Sequence, residues 1–222
     1  MVDTPKPIRR TKSKTLIIIS RLASFISHPL LITAFTAISL YQLFPSEIFV
    51  PGVTPRSWMT TLIIFTVILP FVAILSFRLL GLISDAIMHQ AKDRTLPLVA
   101  TMIFYILTYW MFTHKYAAPV LMQSLLLGSC AAIALIFLIN FFYKVSVHTT
   151  AAAIFPGMGI VLFQQNETGS ITLLALACLM ALFVGVIRWL LGAHTTGQII
   201  LGYLIGIVTQ QAAYFLLSGT RF

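Results

Sequence analysis

Apolar segments long enough to cross a lipid bilayer follow one another along almost the whole chain, separated by short polar stretches. A membrane-spanning helix needs about 20 mostly apolar residues. The pattern therefore predicts seven spans joined by short connections, and it leaves no room for a separate soluble domain. The predicted spans are residues 16–44, 58–80, 98–112, 117–143, 149–163, 171–189 and 197–217.

Proline and glycine mark special positions within these spans. His28-Pro29 predicts a kink in the first span, because proline in a helix removes a backbone hydrogen bond, and Pro45 ends that span. A cleaved signal peptide is the alternative interpretation of the first span, although its apolar stretch is longer than that of a typical signal peptide. Gly202 and Gly206 in the last span have a spacing that lets a neighbouring helix approach closely.

Composition indicates the same class of protein. The mean hydropathy is +0.99, and 59% of the 222 residues are hydrophobic. We therefore expect an all-α fold, a polytopic membrane bundle of six to seven transmembrane helices. It would comprise a basic tail over residues 1–15 and a single transmembrane domain over residues 16–222. Cys130 and Cys178 fall inside apolar segments and are predicted to be buried free thiols.

The formal charge of +9 reflects a shortage of acidic residues, five against fourteen Lys and Arg. A nucleic-acid-binding protein would spread its basic residues over a soluble face. This balance instead favours anionic lipid surfaces and phosphate-bearing ligands. We expect membrane lipids as partners and no nucleic acid, and the sequence indicates no particular oligomeric state.

Two polar stretches of similar design lie where one apolar segment gives way to the next. Lys144 precedes His148, with Ser146 between them, and Arg188 precedes His194. Charged groups at membrane depth cost about 2.5–3.5 kcal/mol each on insertion scales. Cations paired with histidines therefore indicate a site for an anionic substrate.

The polar stretches are all predicted to emerge on one face of the membrane. Two spans separate Lys92 and Arg94 from His148, and two more separate His148 from residues 188–194. Counted in this way, eleven Lys and Arg lie on the face of the amino-terminal tail and three on the other. Because cytoplasmic loops carry the excess of Lys and Arg, we expect the tail and the site to face the cytoplasm, in a bacterial inner membrane.

In these residues the chain resembles the type-2 phosphatidic acid phosphatase superfamily, the lipid phosphate phosphatases. That family has three sequence motifs, K-x6-R-P, P-S-G-H and S-R-x5-H-x3-D. Ser146-Val147-His148 resembles the second motif, and Arg188 followed after five residues by His194 resembles the third. The resemblance covers a phosphatase-like core of roughly residues 92–206 and is most specific at Arg188-x5-His194.

The resemblance implies a phosphohistidine mechanism that needs no metal ion and no cofactor. His194 would be the nucleophile, His148 the general acid, and Arg188 would stabilise the phosphoryl group in the transition state. A helix that opens near each histidine would also favour a bound anion through its free amides.

Four further residues are candidates for phosphate binding. The resemblance assigns Lys92 and Arg94 to the first motif and gives Ser146 a hydrogen bond to the phosphoryl group. Lys144 is an additional candidate that the family motif does not require. Because Arg94 is followed by Thr95 and no lysine stands seven residues before it, the roles of Lys92 and Arg94 stay open.

The clearest departure from the family pattern is Gln198, which stands where the aspartate of the third motif is expected. In the family, the aspartate orients the nucleophilic imidazole. The amide oxygen of Gln198 can accept the hydrogen bond of the imidazole but brings no charge. Asp85 or Asp93 could substitute from another loop. The other departures are Val145, Val147 and Ile187.

We therefore expect an integral-membrane, metal-independent phosphatase that acts on a lipid phosphate or diphosphate, such as an isoprenoid phosphate. A catalytically inactive member that binds lipid phosphate or acts in transport is the alternative. Prenyl transfer and alcohol phosphotransfer need Asp-rich magnesium sites, which five acidic residues cannot supply. The remaining histidines, His28, His89 and His114, are interpreted as interfacial or structural.

Overall fold

The computed structural model of the chain describes residues 13–84 and 92–219, and of Lys92 it describes the backbone alone. All regular structure in these residues is helical. The helices are α1 (Lys14–Ile26), α2 (Pro29–Leu43), α3 (Pro45–Ile48), α4 (Pro55–Ile63), α5 (Leu69–Leu79), α6 (Lys92–Trp110), α7 (Val120–Ile139), α8 (Val147–Gln164), α9 (Ser170–Leu190) and α10 (Thr196–Ser218). A π-helical segment joins α4 to α5 (Ile64–Ile68), and another extends α6 (Met111–Lys115).

Six continuous helices in the described residues are long and apolar enough to cross a membrane. They are α4 with α5, α6 with its extension, α7, α8, α9 and α10. The bent pair formed by α1 and α2 is a seventh candidate if its two halves are one span. The prediction of an all-α polytopic bundle is confirmed, and the chain is an integral membrane protein.

The first predicted span is interrupted at the predicted kink, where α1 and α2 meet at 60°. His28 caps α2, because its Nδ1 accepts a hydrogen bond from the N–H of Leu30 at 3.3 Å. Pro29 follows at the first helical position, where its missing N–H costs nothing. The kink is therefore the start of a new helix and not a bend within one continuous helix.

α1 turns its apolar side chains away from the bundle. Leu16, Leu22 and Phe25 are exposed, whereas Ser20 and Ser24 are buried. In a membrane the exposed apolar side chains contact lipid, and the buried serines lie on the side of α9, which α1 contacts. The polar face of this helix therefore points into the protein.

α6 begins six residues before the third predicted span, so the polar segment over residues 92–97 is helix and the predicted boundary is wrong. Asp93 holds this helix start, because its carboxylate accepts hydrogen bonds from the N–H of Ser84 at 3.2 Å and from the Ser84 hydroxyl. A helix can extend beyond its apolar segment when the polar side chains at its end form hydrogen bonds within the protein. Arg94 therefore projects from a helix.

α8 is the central helix and packs against α10, α9, α2 and α7. The contact with α10 is close because of two glycines. A Cβ at Gly202 would lie 2.9 Å from the carbonyl oxygen of Ser146, and a Cβ at Gly206 would clash with the carbonyl oxygen of Thr150. The close approach predicted from the glycine spacing is confirmed, and the neighbouring helix is α8.

The two cysteines differ in their surroundings. Cys130 is buried, as predicted, but Cys178 is exposed on α9, so that prediction is wrong. An apolar segment does not distinguish the residues that face protein from those that face lipid. Both thiols are free.

Candidate functional site

The starts of α6, α8 and α10 and the end of α9 meet at one end of the bundle. Arg94 of α6 donates a hydrogen bond to the carbonyl oxygen of Val145 at 3.2 Å. The N–H of Ser146 donates to the carbonyl oxygen of Gln198 at 3.3 Å. These contacts bring the three predicted motifs together, in agreement with their predicted placement on one face.

His194 lies in the α9–α10 connection, is buried, and is oriented by Gln198. Oε1 of Gln198 lies 3.0 Å from Nδ1 of His194 and also accepts the N–H of Thr195 at 3.2 Å. An atom that accepts a backbone N–H must be the amide oxygen, so Nδ1 of His194 carries the hydrogen in this hydrogen bond. Nε2 of the neutral ring then has an available lone pair, as a nucleophilic imidazole requires.

The local sequence explains the position of Gln198. Thr195 caps α10 by accepting the N–H of Gln198 at 3.4 Å, and the Gln198 side chain returns to the N–H of Thr195. This is a capping box, in which the first and fourth residues of a helix start satisfy each other's backbone amides. The capping box therefore fixes the amide oxygen that orients His194.

The turn after α9 sets the main chain of Arg188 near His194. Gly192 adopts a positive φ of 65°, which favours glycine, and the N–H of Ala193 donates to the carbonyl oxygen of Arg188 at 3.1 Å. The Arg188 side chain donates through Nη1 to the hydroxyl of Ser24 at 2.8 Å. Its Nε is buried and has no hydrogen-bond partner in residues 13–84 and 92–219. Because such a donor is costly to bury, an anion at this point would stabilise the site.

Ser146 forms the start of α8. Its side chain is fully buried, and its Oγ accepts the N–H of Thr149 at 3.4 Å as the helix N-cap. A hydrogen bond from Ser146 to a phosphoryl group stays a prediction. Lys144 lies two residues earlier and is half-buried.

His148 is the second residue of α8, and a third histidine lies beside it. The rings of His28 and His148 are edge-to-face, with 5.9 Å between their centroids. His148 is also close enough to Arg188 and His194 to interact with both electrostatically. The sequence did not predict this position of His28, because the residue stands in the middle of an apolar segment and only the His28-Pro29 break marks a helix start there.

Positive charge surrounds His194. Burial and then the charges of Arg188, Arg94 and Lys144 lower the pKa of His194 to about 3, although the hydrogen bond with Gln198 acts in the opposite direction. Burial, Arg94 and Arg188 lower the pKa of Lys144 to about 8. At pH 7 the ring of His194 is therefore neutral and Lys144 is mostly protonated. Like charges in a partly buried cluster repel one another, and a bound anion would relieve that repulsion.

The cluster contains most of the residues singled out in the sequence: His194, His148, Arg188, Arg94, Lys144, Ser146 and Gln198. The side chain of Lys92 and the whole of Asp85 lie outside the described residues. The carboxylate of Asp93 accepts hydrogen bonds from Ser84. Asp93 therefore does not orient His194, whose side-chain partner is Gln198.

Comparisons of the chain with protein-family models, with curated proteins and with solved structures find no match. In the described part of the chain, no three His, Cys, Asp or Glu side chains form a group that could hold a metal ion.

Proposed function

We propose that this membrane protein is a phosphatase that hydrolyses a lipid phosphate or diphosphate through a phosphohistidine intermediate and without a metal ion. The proposal joins the resemblance of Ser146-x-His148 and Arg188-x5-His194 to the lipid phosphate phosphatases with the arrangement of the cluster. The observation that carries it is the state of His194: a neutral ring with its Nδ1 hydrogen held by Gln198, surrounded by cations.

In the first chemical step, the lone pair on Nε2 of His194 attacks phosphorus. A P–N bond forms and the P–O bond to the leaving group breaks, while His148, which takes up a proton when the anionic substrate binds, donates that proton to the leaving oxygen. Arg188 and Arg94 stabilise the negative charge on the equatorial oxygens, since fixed cations in a water-poor site act strongly on a developing charge. The buried Nε of Arg188 supplies one donor for this purpose.

In the second step, water attacks the phosphohistidine. His148, now neutral, removes a proton from that water. The P–N bond breaks, its electron pair returns to Nε2 of His194, and inorganic phosphate leaves. Gln198 keeps the Nδ1 hydrogen in place through both steps. With a diphosphate substrate, the first leaving group is the lipid monophosphate.

The proposed substrate class follows from the position of the cluster in a membrane protein, and the proposed membrane side follows from charge. The cluster lies at the ends of membrane-spanning helices, where the headgroup of a membrane lipid can reach it, so a phospholipid or isoprenoid phosphate is the favoured substrate. The excess of Lys and Arg on the tail face supports a site and an amino terminus that face the cytoplasm of a bacterial cell.

A lipid-phosphate-binding protein without turnover is the second candidate, and the uncharged Gln198 favours it. In a serine triad, a comparable Asp-to-Asn change lowers kcat about 10⁴-fold. Such a protein would keep the cations of the cluster and act in binding or transport.

The experiment that tests the proposal measures phosphate release from phosphatidate and from an isoprenyl diphosphate by the purified chain in detergent with EDTA. We expect release by the wild type, an acid-labile phosphohistidine after quenching, and loss of both in His194→Ala. His114→Ala is the matched control, because His114 is exposed and stacks on Trp110, away from the cluster. Turnover by His194→Ala equal to that of the control would overturn the mechanism.

A further inference from the structure

The break between α1 and α2 contributes two polar side chains that the proposed mechanism does not use. Ser24 lies in the last turn of α1, and His28 is the residue that caps the start of α2. Ser24 accepts the hydrogen bond of Arg188 at 2.8 Å, and His28 lies edge-to-face with His148. The break therefore contacts one proposed phosphate-binding residue and the proposed general acid.

The contact with Ser24 determines which edge of Arg188 is available. Ser24 is buried and takes Nη1 of the guanidinium. The opposite edge, which carries Nε, can hold two oxygens of one anion side by side. Because Nε is the buried donor without a partner in the described chain, Ser24 orients Arg188 towards a ligand that would fill that edge.

The contact with α2 determines the tautomer of His28. The N–H of Leu30 donates to Nδ1 of His28 at 3.3 Å, so Nδ1 is the acceptor and the hydrogen of the neutral ring is on Nε2. Nε2 lies on the part of the ring that faces away from this backbone contact. His28 can therefore cap α2 with one nitrogen and donate a hydrogen bond with the other.

We infer that the α1–α2 break is a substrate-binding element of the site, in which Ser24 positions Arg188 and His28 donates its Nε2 hydrogen to a non-ester oxygen of the bound phosphoryl group. The inference deepens the proposed function and rests on its anion site, but not on turnover. It assigns a ligand contact to a part of the chain outside the three motifs.

Two variants of His28 separate ligand binding from helix capping. Asparagine places an amide near the position of Nδ1 and is a good N-cap, whereas glutamine reaches about as far as Nε2 and is a poor one. His28→Asn should keep the stability of the protein but lose the anion contact. His28→Gln should lose stability and keep much of the contact. His114→Asn is the matched control for replacing a histidine outside the cluster.

The probes are inorganic phosphate and orthovanadate, titrated into the purified full-length chain in detergent and followed by calorimetry, with thermal unfolding measured in parallel. A hydrogen bond to a charged group is worth about tenfold or more in affinity. We therefore expect His28→Asn to bind about tenfold more weakly than His114→Asn at unchanged thermal stability. His28→Gln should bind more tightly than His28→Asn despite its lower stability.

Ser24→Ala tests the positioning role, with Ser20→Ala as its control because Ser20 is buried one turn earlier on the same helix. Ser24→Ala should weaken phosphate binding several-fold, and Ser24→Thr, which keeps a hydroxyl, should restore most of it. In an active protein the effect should appear mainly in KM, since Arg188 itself is retained. Equal binding by Ser24→Ala and Ser20→Ala would overturn this part.

The outcomes distinguish this inference from the proposed function. If the wild type binds phosphate and His28→Asn weakens binding while no variant releases phosphate, the inference stands and the phosphatase fails. If turnover depends on His194 but His28→Asn binds as tightly as His114→Asn, the phosphatase stands and the inference fails. Loss of stability in His28→Asn with unchanged binding leaves His28 as a helix cap and overturns the inference. A wild type that binds neither probe overturns both.

Discussion

The N–H of Ser146 donates to the carbonyl oxygen of Gln198 at 3.3 Å, which joins the start of α8 to the start of α10. The hydroxyl of Thr149 adds a second link by donating to the carbonyl oxygen of Ile199 at 3.2 Å. His148 lies at the first of these helix starts and His194 immediately before the second. Backbone contacts therefore set the separation of the two histidines.

Gly206→Ala should separate these helices. The added methyl group would clash with the carbonyl oxygen of Thr150, and overpacking of this kind costs about 1–3 kcal/mol. We expect a lower unfolding temperature and loss of phosphate release. Gly197→Ala is the control, because its new methyl group would meet only the hydroxyl of Tyr143, at 3.2 Å. If Gly206→Ala is as stable and active as that control, the glycine contact does not set the geometry of the site.

Gln198→Glu should raise turnover by about tenfold or more, because a carboxylate of the same reach would stabilise the imidazolium that develops at His194. Gln198→Leu should lower it, since Nδ1 would lose its acceptor. Single-turnover phosphate release measures both. Thr196→Ala is the control, because Thr196 is exposed in the same turn of α10 and is not part of the capping box. In a protein that only binds phosphate, Gln198→Glu would still give no release and would weaken binding.

Phosphate binding should weaken as the pH rises through about 8. The pKa of Lys144 is lowered to about 8 by burial and by Arg94 and Arg188, so Lys144 loses its charge just above this pH. KM measured between pH 7 and 9.5 should rise in the wild type. Lys144→Arg should remove the rise because its charge persists, and Lys144→Gln should have a high KM throughout. A wild-type rise that persists in Lys144→Gln would assign it to another group.

Folding stability should fall as the pH drops from about 6.5 towards 3. The pKa of His194 is about 3 in the folded protein against about 6.5 when exposed, so the unfolded chain binds the extra proton in this interval. The free energy of unfolding then decreases by up to about 1.4 kcal/mol per pH unit from this residue. Denaturant unfolding of His194→Asn should show a shallower dependence than the wild type. His114→Asn should match the wild type.

The amino terminus should be cytoplasmic. Cysteines placed at Ser13 and Thr168, both exposed, in a chain without Cys130 and Cys178 should react from opposite sides with a membrane-impermeant thiol reagent. We expect the cysteine at position 168 to react in intact cells and the one at position 13 only after lysis. The reverse pattern would invert the topology and put the site on the outer side.

The sequence predicted the membrane class and the grouping of the motifs, because both depend on patterns that survive without tertiary detail. Apolar length fixes the number of spans, and the number of spans between polar stretches fixes the face on which they emerge. The start of α6 could not be predicted, since it depends on Asp93 finding Ser84 across a connection. The exposure of Cys178 could not be predicted from the sequence either, because side chains that face lipid and side chains that face the protein interior are both apolar.

Within the site, the spacing of Arg188 and His194 was visible, but the partner of His194 was not. Gln198 was expected to be a weak substitute for an aspartate, and the capping box with Thr195 shows how it is held in place. The position of His28 required the 60° break, which no spacing rule specifies. Contacts between residues far apart in the sequence cannot be predicted from the spacing of residues along one segment.

Ser24 and Arg188 are 164 residues apart in the chain. During synthesis this hydrogen bond can form only after α9 has been inserted into the membrane. The hydrogen bond between His194 and Gln198 can form only after the first turn of α10 has been made. A chain interrupted before α10 therefore cannot assemble the cluster. Closing so long a loop is slow compared with forming contacts between neighbouring helices, so we expect phosphate binding to be among the last properties that the newly made protein acquires.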